Sequence, residues 1–336
     1  MSSQMSTPVA WPPQPRVVTL GESMVVLNPA TTGPLRYVHT FHRSLAGAES
    51  NVAIGLVRLG IPVGWFSRVG GDEFGRYVLA TLRGEEVDVS RARTDADAPT
   101  GVYFKELRAA GDPSVYYYRR GSAASRLSPD DLDPAYIASA ELLHITGITP
   151  ALSDSCRRTV LRAVEIARAS GTLVSFDPNY RAKLWSPDEA RPVMREIARQ
   201  ADIVMPGLAE AELLTGAVDP TTAAGELLAA GARLVVVKLG PAGAMVAAAA
   251  AAGQGAGAAP ETVPGFAATP VDSIGAGDAF AAAFLAGILS GCSPVNAARQ
   301  ANAAGALATQ VVGDWEGMPD REALDRFMAG REAVTR

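Results

Sequence analysis

Short runs of valine, isoleucine and leucine recur along the chain, and within each run the apolar residues are consecutive rather than alternating. The runs cover 17–20, 63–69, 142–145, 173–176, 203–205 and 234–237. Consecutive apolar residues are expected in strands that are buried on both faces of a sheet. Helical patterns lie between the runs, for example at 51–59 and 156–169. The alternation of strand and helix predicts an α/β fold with a doubly wound, mostly parallel sheet flanked by helices.

One region breaks this alternation. The segments 101–107 and 114–120 are rich in aromatic and β-branched residues, and Gly111-Asp112-Pro113 separates them. This pattern predicts an antiparallel hairpin, which cannot belong to a parallel core and is a candidate lid. We expect a flexible N-terminal tail at 1–15 and a single domain at 16–336, with lid segments at about 28–45 and 99–122. An aromatic lid with an exposed edge favours a homo-oligomer, a dimer or higher.

Composition limits the classes of partner. The net charge of −5 argues against nucleic acid or an anionic membrane as the main partner, because both bind basic surfaces. Two cysteines are too few for a disulfide framework, and the histidines lack metal-ligand spacing. The N-terminus does not resemble a signal peptide, and the apolar run 279–289 is too short to span a bilayer, so we expect a cytoplasmic protein. The Ala/Gly-rich stretch 247–259 is expected to be a surface loop without an assigned role.

The segment with the most chemistry is the turn Gly275-Ala276-Gly277 with the aspartate that follows it, Asp278. A glycine-rich turn that enters a helix offers free amides and the positive end of the helix dipole to an anion. An aspartate there competes with the anion unless it acts on it, as a base that accepts a hydroxyl proton would. Taken alone, Asp278 could equally be a helix-capping residue.

Two motifs then point to a family. AGAESNVA at 46–53 is followed by Gly60 and Gly70, and DSIGAGD at 272–278 is followed by AAFL at 282–285. In type, spacing and order these motifs resemble the two signatures of ribokinase-like (phosphofructokinase-B type) carbohydrate kinases, and the resemblance covers nearly the whole chain.

That resemblance implies ATP as the phosphoryl donor and assigns roles to individual residues. Asp278 would be the catalytic base, and Gly275, Ala276 and Gly277 would form the anion hole. The segment 238–244 resembles the family's nucleotide loop, and Asn302 falls where the family lines the adenine site. The nucleotide-binding residues implied are Asn179, Arg181, Gly207, Lys238, Gly240, Gly243, Gly275, Gly277 and Asn302.

Magnesium is implied in the same way, because phosphoryl transfer requires a cation on the phosphates. Many relatives carry an Asn-x-x-Glu motif that organises the ion through water. Here the motif reads Gly207-Leu208-Ala209-Glu210, so the glutamate is present and the asparagine is replaced. Glu210 is therefore a candidate for an indirect role at the metal, or else a solvated helix residue.

The substrate is indicated by other positions. Val26 stands where many ribokinase-like enzymes place an aspartate that grips a sugar diol, which disfavours simple ribose or fructose. Tyr117 and Arg119 share one face of a lid strand, and Arg181 follows a predicted core strand, where ligands of such sheets bind. Arginines and tyrosines that converge on a cleft suit a carboxylate, so an acidic sugar is favoured.

Within the family, AGAESN at 46–51, YYRRGSAAS at 117–125 and DPNYR at 177–181 are similar to 2-keto-3-deoxygluconate kinases. That similarity implies phosphorylation of 2-keto-3-deoxy-D-gluconate at its 6-hydroxyl. The alternatives are a kinase for fructose, ribose, a nucleoside or 2-keto-3-deoxygalactonate, or a catalytically silent sugar-binding regulator. The substrate-binding residues implied are Gly47, Asn51, Tyr103, Tyr117, Arg119, Arg181, Asp278 and Asp314.

Overall fold

The structure is a computed structural model that describes residues 14–107, 114–250 and 259–330. Its strands, in chain order, are β1 (Val17–Leu20), β2 (Met24–Pro29), β3 (Phe41–Ala46), β4 (Val63–Phe66), β5 (Arg68–Gly70), β6 (Arg93–Asp95), β7 (Val102–Glu106), β8 (Ser114–Tyr118), β9 (Leu142–Thr146), β10 (Leu173–Asp177), β11 (Ile203–Val204), β12 (Leu234–Lys238), β13 (Gly243–Ala248) and β14 (Glu261–Pro264). Its α-helices are α1 (Ala48–Arg58), α2 (Glu73–Gly84), α3 (Pro134–Ala138), α4 (Asp154–Ser170), α5 (Pro187–Ala198), α6 (Leu208–Thr215), α7 (Pro220–Ala229), α8 (Ala276–Leu289), α9 (Pro294–Ala308) and α10 (Arg321–Met328).

The central sheet has eight strands in the order β14-β13-β12-β11-β10-β9-β1-β4. Pairing is parallel from β4 to β12, whereas β13 and β14 join one edge antiparallel. The predicted doubly wound, mostly parallel sheet is confirmed. Because both faces of the sheet are covered by helices, its strands are apolar at consecutive positions.

Helices form a core on each face. One core contains side chains of α1, α8 and α9, and the other contains side chains of α4, α5 and α7. Helix α8 is buried continuously from Asp278 to Gly287, so its sequence is apolar on all sides rather than on one stripe. This helix carries the glycine turn into the centre of the molecule.

A second sheet has the order β3-β2-β7-β8, with β7 and β8 antiparallel as predicted for the hairpin. Its strands lie within 24–46 and 102–118, so the first segment begins before the expected 28–45. The reason is pairing: β2 runs beside β7 from Val25 onward, which draws residues directly after β1 into the sheet. The predicted turn at 111–113 lies outside the described residues.

Two further expectations require correction. The run 63–69 is not one strand, because β4 belongs to the central sheet whereas β5 pairs with β6 in a separate two-stranded sheet. The stretch 247–259 is not entirely loop, since Ala247 and Ala248 end β13, where they pair with β12. Residues 251–258 and residues 1–13 of the expected tail lie outside the described residues. No helix in the described ranges is both long enough and apolar enough to cross a membrane.

The order of the strands locates a crevice. Strand β1 lies between β4 and β9, so the chain leaves β1 toward one side first and returns to build the other side later. In open α/β sheets, ligands bind at such a switch point, beyond the carboxyl ends of the strands. The lid strand β2 follows β1 directly and covers this edge.

Candidate active site

Two cavities open at the carboxyl edge of the central sheet, and Ser273, in the turn before α8, lines both. The first cavity, of about 280 Å³, lies between the end of β1, lid strands β7 and β8, and the first turns of α1 and α8. The second, of about 570 Å³, lies between the turn after β12, the segment after β14, and helices α8 and α9. A smaller and a larger ligand would therefore meet at this turn.

The first cavity collects residues from distant parts of the sequence. All eight residues predicted to contact substrate line it: Gly47, Asn51, Tyr103, Tyr117, Arg119, Arg181, Asp278 and Asp314. The tyrosines come from adjacent lid strands, and their rings lie 5.3 Å apart. The walls of the cavity thus carry both signs of charge.

Asp278 lies in the first turn of α8 and is 9% exposed. Its Oδ2 accepts a 2.8 Å hydrogen bond from Nδ2 of Asn51, and Nδ2 of Asn179 lies 3.5 Å from its Oδ1. Burial raises the pKa of Asp278 to about 7; the Asn51 hydrogen bond opposes this rise, and the nearby charge of Asp177 adds to it. At neutral pH the carboxylate can therefore both accept and release a proton.

Gly275 shapes the turn before Asp278. It is the N-cap of α8 with φ of 80°, in the left-handed region that favours glycine. A Cβ at this position would lie 1.8 Å from the carbonyl oxygen of Asp314, so a side chain is excluded. The amides of Gly275, Ala276 and Gly277 begin the helix, where backbone N–H groups have no intrahelical acceptor and attract anions.

The second cavity contains only some of the residues predicted to bind nucleotide. Those that line it are Lys238, Gly240, Gly243, Gly277 and Asn302. Gly275 and Arg181 line the first cavity instead, and Asn179 and Gly207 line neither. Asn302 donates from Nδ2 to the carbonyls of Val263 and Pro264, at 3.0 and 3.1 Å, so its amide also fastens the end of β14.

Lys238 ends β12 next to the second cavity. Its Nζ lies 2.7 Å from Oδ2 of Asp177, at the end of β10. Burial by itself lowers the pKa of Lys238, but the carboxylates of Asp177, Glu210 and Asp278 outweigh burial and raise it. The ammonium therefore stays charged close to where the two cavities meet.

Glu210 has a structural role that its sequence motif did not reveal. Its carboxylate accepts a 2.7 Å hydrogen bond from the amide of Gly207 and a 2.8 Å bond from that of Tyr180. It thus caps α6 and ties α6 to the segment after β10. Over 14–107, 114–250 and 259–330, no three His, Cys, Asp or Glu side chains form a metal cluster. The carboxylates near Lys238 are those of Asp177 and Glu210. Two carboxylates fit Mg²⁺, which keeps several waters and usually takes one or two carboxylates together with substrate phosphates.

Sequence reasoning missed two charged residues, one that lines the first cavity and one that lies behind its lining. Glu22, directly after β1, receives a 2.6 Å hydrogen bond from Nε of Arg119. Lys105, on β7, lies 2.7 Å from Oδ1 of Asp314, whose Oδ2 accepts a 2.9 Å bond from the Tyr103 hydroxyl. Arg119 and Asp314 are therefore already paired. A signal for Lys105 was its place two residues after Tyr103, on the same face of the strand.

Val26 agrees with the sequence interpretation. Its side chain is 1% exposed and packs with Met24, Ala46 and Tyr103 under the lid sheet. This position therefore offers no carboxylate to a sugar diol, and the polar contacts of the first cavity come from other residues.

Comparison with known proteins gives consistent matches. The pfkB family of carbohydrate kinases matches residues 14–321. A 2-dehydro-3-deoxygluconokinase of Bacillus subtilis (strain 168) is 43% identical over 94% of this chain and 96% of its own length. A 2-dehydro-3-deoxygluconokinase of Thermoproteus tenax is 40% identical over 93% and 94%, and fructokinase-1 of Zea mays is 36% identical over 90% and 94%.

Solved structures match over similar lengths. A PfkB protein from Polaromonas sp. JS666 superposes with a TM-score of 0.81 at 40% identity and covers 89% of this chain and 97% of its own. A ribokinase II from E. coli, in complex with ATP and Mg²⁺, superposes with a TM-score of 0.86 at 28% identity and covers 94% and 100%.

Proposed function

The chain belongs to the pfkB family of carbohydrate kinases, and we propose that it phosphorylates 2-keto-3-deoxy-D-gluconate (2-dehydro-3-deoxygluconate) at its 6-hydroxyl. ATP is the donor, and the products are ADP and 2-keto-3-deoxy-6-phosphogluconate. The observation that carries the proposal is the position of Asp278, a buried carboxylate on the turn where the two cavities meet. The 2-dehydro-3-deoxygluconokinases at 43% and 40% identity support the substrate.

The reaction follows from the groups around that turn. With its pKa raised to about 7, Asp278 accepts the proton of the sugar hydroxyl as the oxygen attacks the γ-phosphorus. The new O–P bond forms as the bond from phosphorus to ADP breaks. The amides of Gly275, Ala276 and Gly277 hold the transferring group, because helix N-termini stabilise the charge on its oxygens.

The donor site is proposed at the second cavity. Lys238 supplies a fixed positive charge near the phosphates, and Asn302 borders the space for the base. Asp177 and Glu210 lie close enough to Lys238 to influence its pKa and are the carboxylates that would face Mg²⁺, Glu210 through water. When bound, Mg²⁺ neutralises charge on the phosphates during transfer.

The acid end of the sugar is proposed to lie at Arg181 and Arg119. Arg181 lines the first cavity and makes no salt bridge within the part of the chain that the structure describes. Guanidinium groups bind carboxylates with paired hydrogen bonds, and the hydroxyls of Tyr103 and Tyr117 add further polar contacts. A neutral sugar would leave Arg181 without a salt-bridge partner among the described residues, so an acidic sugar suits this cavity better.

A substrate panel tests the proposal. ADP release is measured with ATP and Mg²⁺ on 2-keto-3-deoxygluconate, its galactonate epimer, fructose, ribose and a nucleoside. We expect the highest kcat/KM on the gluconate acid. Rapid turnover of fructose with none of either keto acid would refute the substrate and leave the kinase activity intact. No turnover of any sugar, with binding retained, would favour the silent regulator.

We propose further that the lid mediates a homo-oligomer, a dimer or higher, in the cytoplasm. Support comes from β8, which is an edge strand and carries Tyr116 and Tyr118 at 45% and 69% exposure. Exposed aromatic side chains on a sheet edge favour association with another sheet. Light scattering coupled to gel filtration tests this, with Tyr118→Lys expected to lower the measured mass; a monomeric wild type would refute it.

A further inference from the structure

Glu22 is a buried carboxylate at the edge of the first cavity, and neither the sequence motifs nor the proposed mechanism gives it a role. Its side chain is fully buried. Oε2 accepts a 2.6 Å hydrogen bond from Nε of Arg119, and Nη2 of the same guanidinium is also in contact with it. Oε1 accepts a 2.5 Å hydrogen bond from the hydroxyl of Ser122. A buried charge must be paired in this way, because an unpaired one is strongly destabilising.

The backbone around this pair is built to admit it. A Cβ at Gly101 would lie 2.8 Å from Oε1 of Glu22 and 3.4 Å from Cβ of Arg119, so the glycine makes room for both side chains. Glu22 follows a strand of the central sheet, whereas Arg119 follows the last strand of the lid. The pair therefore fixes an arginine of the lid to the core of the protein.

The pairing leaves part of the guanidinium for a ligand. Glu22 holds the edge of the guanidinium that carries Nε and Nη2, so the N–H groups on the opposite edge are not used by this pair. The Arg119 side chain is 10% exposed and lines the cavity. Since a guanidinium has five N–H donors in a fixed plane, holding one edge sets the direction of the others.

The pairing also changes the charge of the cavity. Glu22 cancels Arg119, and Lys105 cancels Asp314. The charged residues that remain in the lining are Asp278, which takes up the proton, and Arg181. Arg181 thus supplies the positive charge that no salt bridge of the described residues neutralises, whereas Arg119 supplies directed hydrogen bonds while Glu22 balances its charge.

We infer that Glu22 is a positioning residue for substrate selection: it holds Arg119 so that the free N–H groups of the guanidinium meet the acid end of the sugar. The inference rests on the proposed function for the identity of the acid. It predicts that Glu22 acts only through Arg119, so that its effect on substrate depends on that arginine being present.

The test is a double-mutant cycle with Glu22→Gln and Arg119→Met, measured as kcat/KM for 2-keto-3-deoxygluconate. Glu22→Gln keeps the size of the side chain but loses the charge that fixes Arg119. We expect KM for the sugar to rise about tenfold, with kcat within about threefold and KM for ATP unchanged. In the Arg119→Met background the same change should cost nothing or restore activity a few fold, because it removes an unpaired buried carboxylate.

Glu316→Gln is the matched control, since Glu316 also joins the lid to the core, through Ser44, without contacting Arg119. It should leave KM for the sugar within about twofold. A second tenfold loss from Glu22→Gln in the Arg119→Met background would overturn the inference, and so would an equal rise in KM from Glu316→Gln. If Glu22→Gln alone does not fold, the double variant, which lacks both charges, is compared with Arg119→Met by the same criterion.

The same measurements separate this inference from the proposed function. Wild-type enzyme without activity on the keto acid refutes the proposed function, and the cycle is then run on the sugar that is phosphorylated. If the wild-type enzyme is active on the keto acid but the losses from the two substitutions are additive, the role of Glu22 is refuted and the proposed function stands.

Discussion

Asp278 accepts a 2.8 Å hydrogen bond from Nδ2 of Asn51, and replacing Asn51 with leucine removes that donor while nearly keeping the volume of the side chain. The hydrogen bond favours the ionised carboxylate and holds its pKa below the value that burial alone would produce. Without it, the pKa of Asp278 should rise above about 7.

The size of the rise follows from the energy of the bond. A hydrogen bond to a charged group contributes about 1.5–3 kcal/mol, and one pKa unit corresponds to about 1.36 kcal/mol. The pKa of Asp278 should therefore rise by about 1–2 units. At pH 7 the ionised fraction would fall from about one half to between roughly a tenth and a hundredth, which lowers kcat/KM about 5- to 50-fold.

The assay is the pH dependence of kcat/KM for the sugar at saturating ATP and Mg²⁺, from pH 5.5 to the highest pH at which the enzyme is stable. Wild type should lose activity below about pH 7 as the base becomes protonated. In Asn51→Leu the same limb should move to higher pH, and part of the lost activity should return at alkaline pH. Asn302→Leu is the control and should leave the pH of this limb unchanged, since Asn302 donates hydrogen bonds to Val263 and Pro264 and not to Asp278.

The shape of the pH profile shows whether Asn51 acts through the pKa of Asp278 or through substrate binding. A loss that is equal at every pH would mean that Asn51 acts on substrate binding alone. A wild-type profile without an acidic limb near pH 7 would refute the assignment of Asp278 as the base with a raised pKa.

Three further predictions concern the same turn and its supports. Asp278→Asn should bind both ligands and lower kcat at least a hundredfold. At pH values above 7 the substitution should also raise the Tm, and this gain should vanish below about pH 4. The reason is that the raised pKa of Asp278 in the folded state costs stability only at pH values where the carboxyl of the unfolded chain is ionised. Near-normal turnover would contradict this. Lys105→Met should lower the Tm, more at pH 8 than at pH 5, since Asp314 is then buried without its cation and can only be neutralised by a proton; Lys105→Met with Asp314→Asn should recover most of the loss. Gly275→Ala should abolish most activity, because its Cβ would overlap the carbonyl of Asp314, whereas Gly291→Ala, with φ of 81° and no atom within 4 Å, should cost only the about 1–2 kcal/mol of a left-handed residue; equal loss of Tm in the two variants would refute the steric reason.

Much of the fold could be predicted from the sequence, because strands that are buried on both faces of a sheet appear as runs of consecutive apolar residues. The runs at 17–20, 142–145 and 173–176 each became a strand of the central sheet. The run 63–69 was misread as one strand, since two strands of different sheets meet there and the apolar pattern does not show which partner each will have. Pairing partners are tertiary information, and short apolar runs carry none of it.

The site could be predicted where a motif is local. The glycine turn and Asp278 lie within a few residues, and family resemblance named the eight residues that the structure brings together at the first cavity. Of the residues that resemblance implied for the nucleotide and the metal, Asn179 and Gly207 line neither cavity, and the carboxylate of Glu210 accepts backbone hydrogen bonds as a cap.

The sequence by itself determined the class of fold, and it contained the turn that we propose receives phosphate and the residue types that a sugar acid would need. The tertiary structure decided which of those charges are free. Glu22 lies 97 positions from Arg119 and Lys105 lies 209 from Asp314, so no local pattern records either pair. Electrostatic attraction depends on distance in space and on burial, and both are set by how the lid sheet lies over the end of β1 in the folded chain.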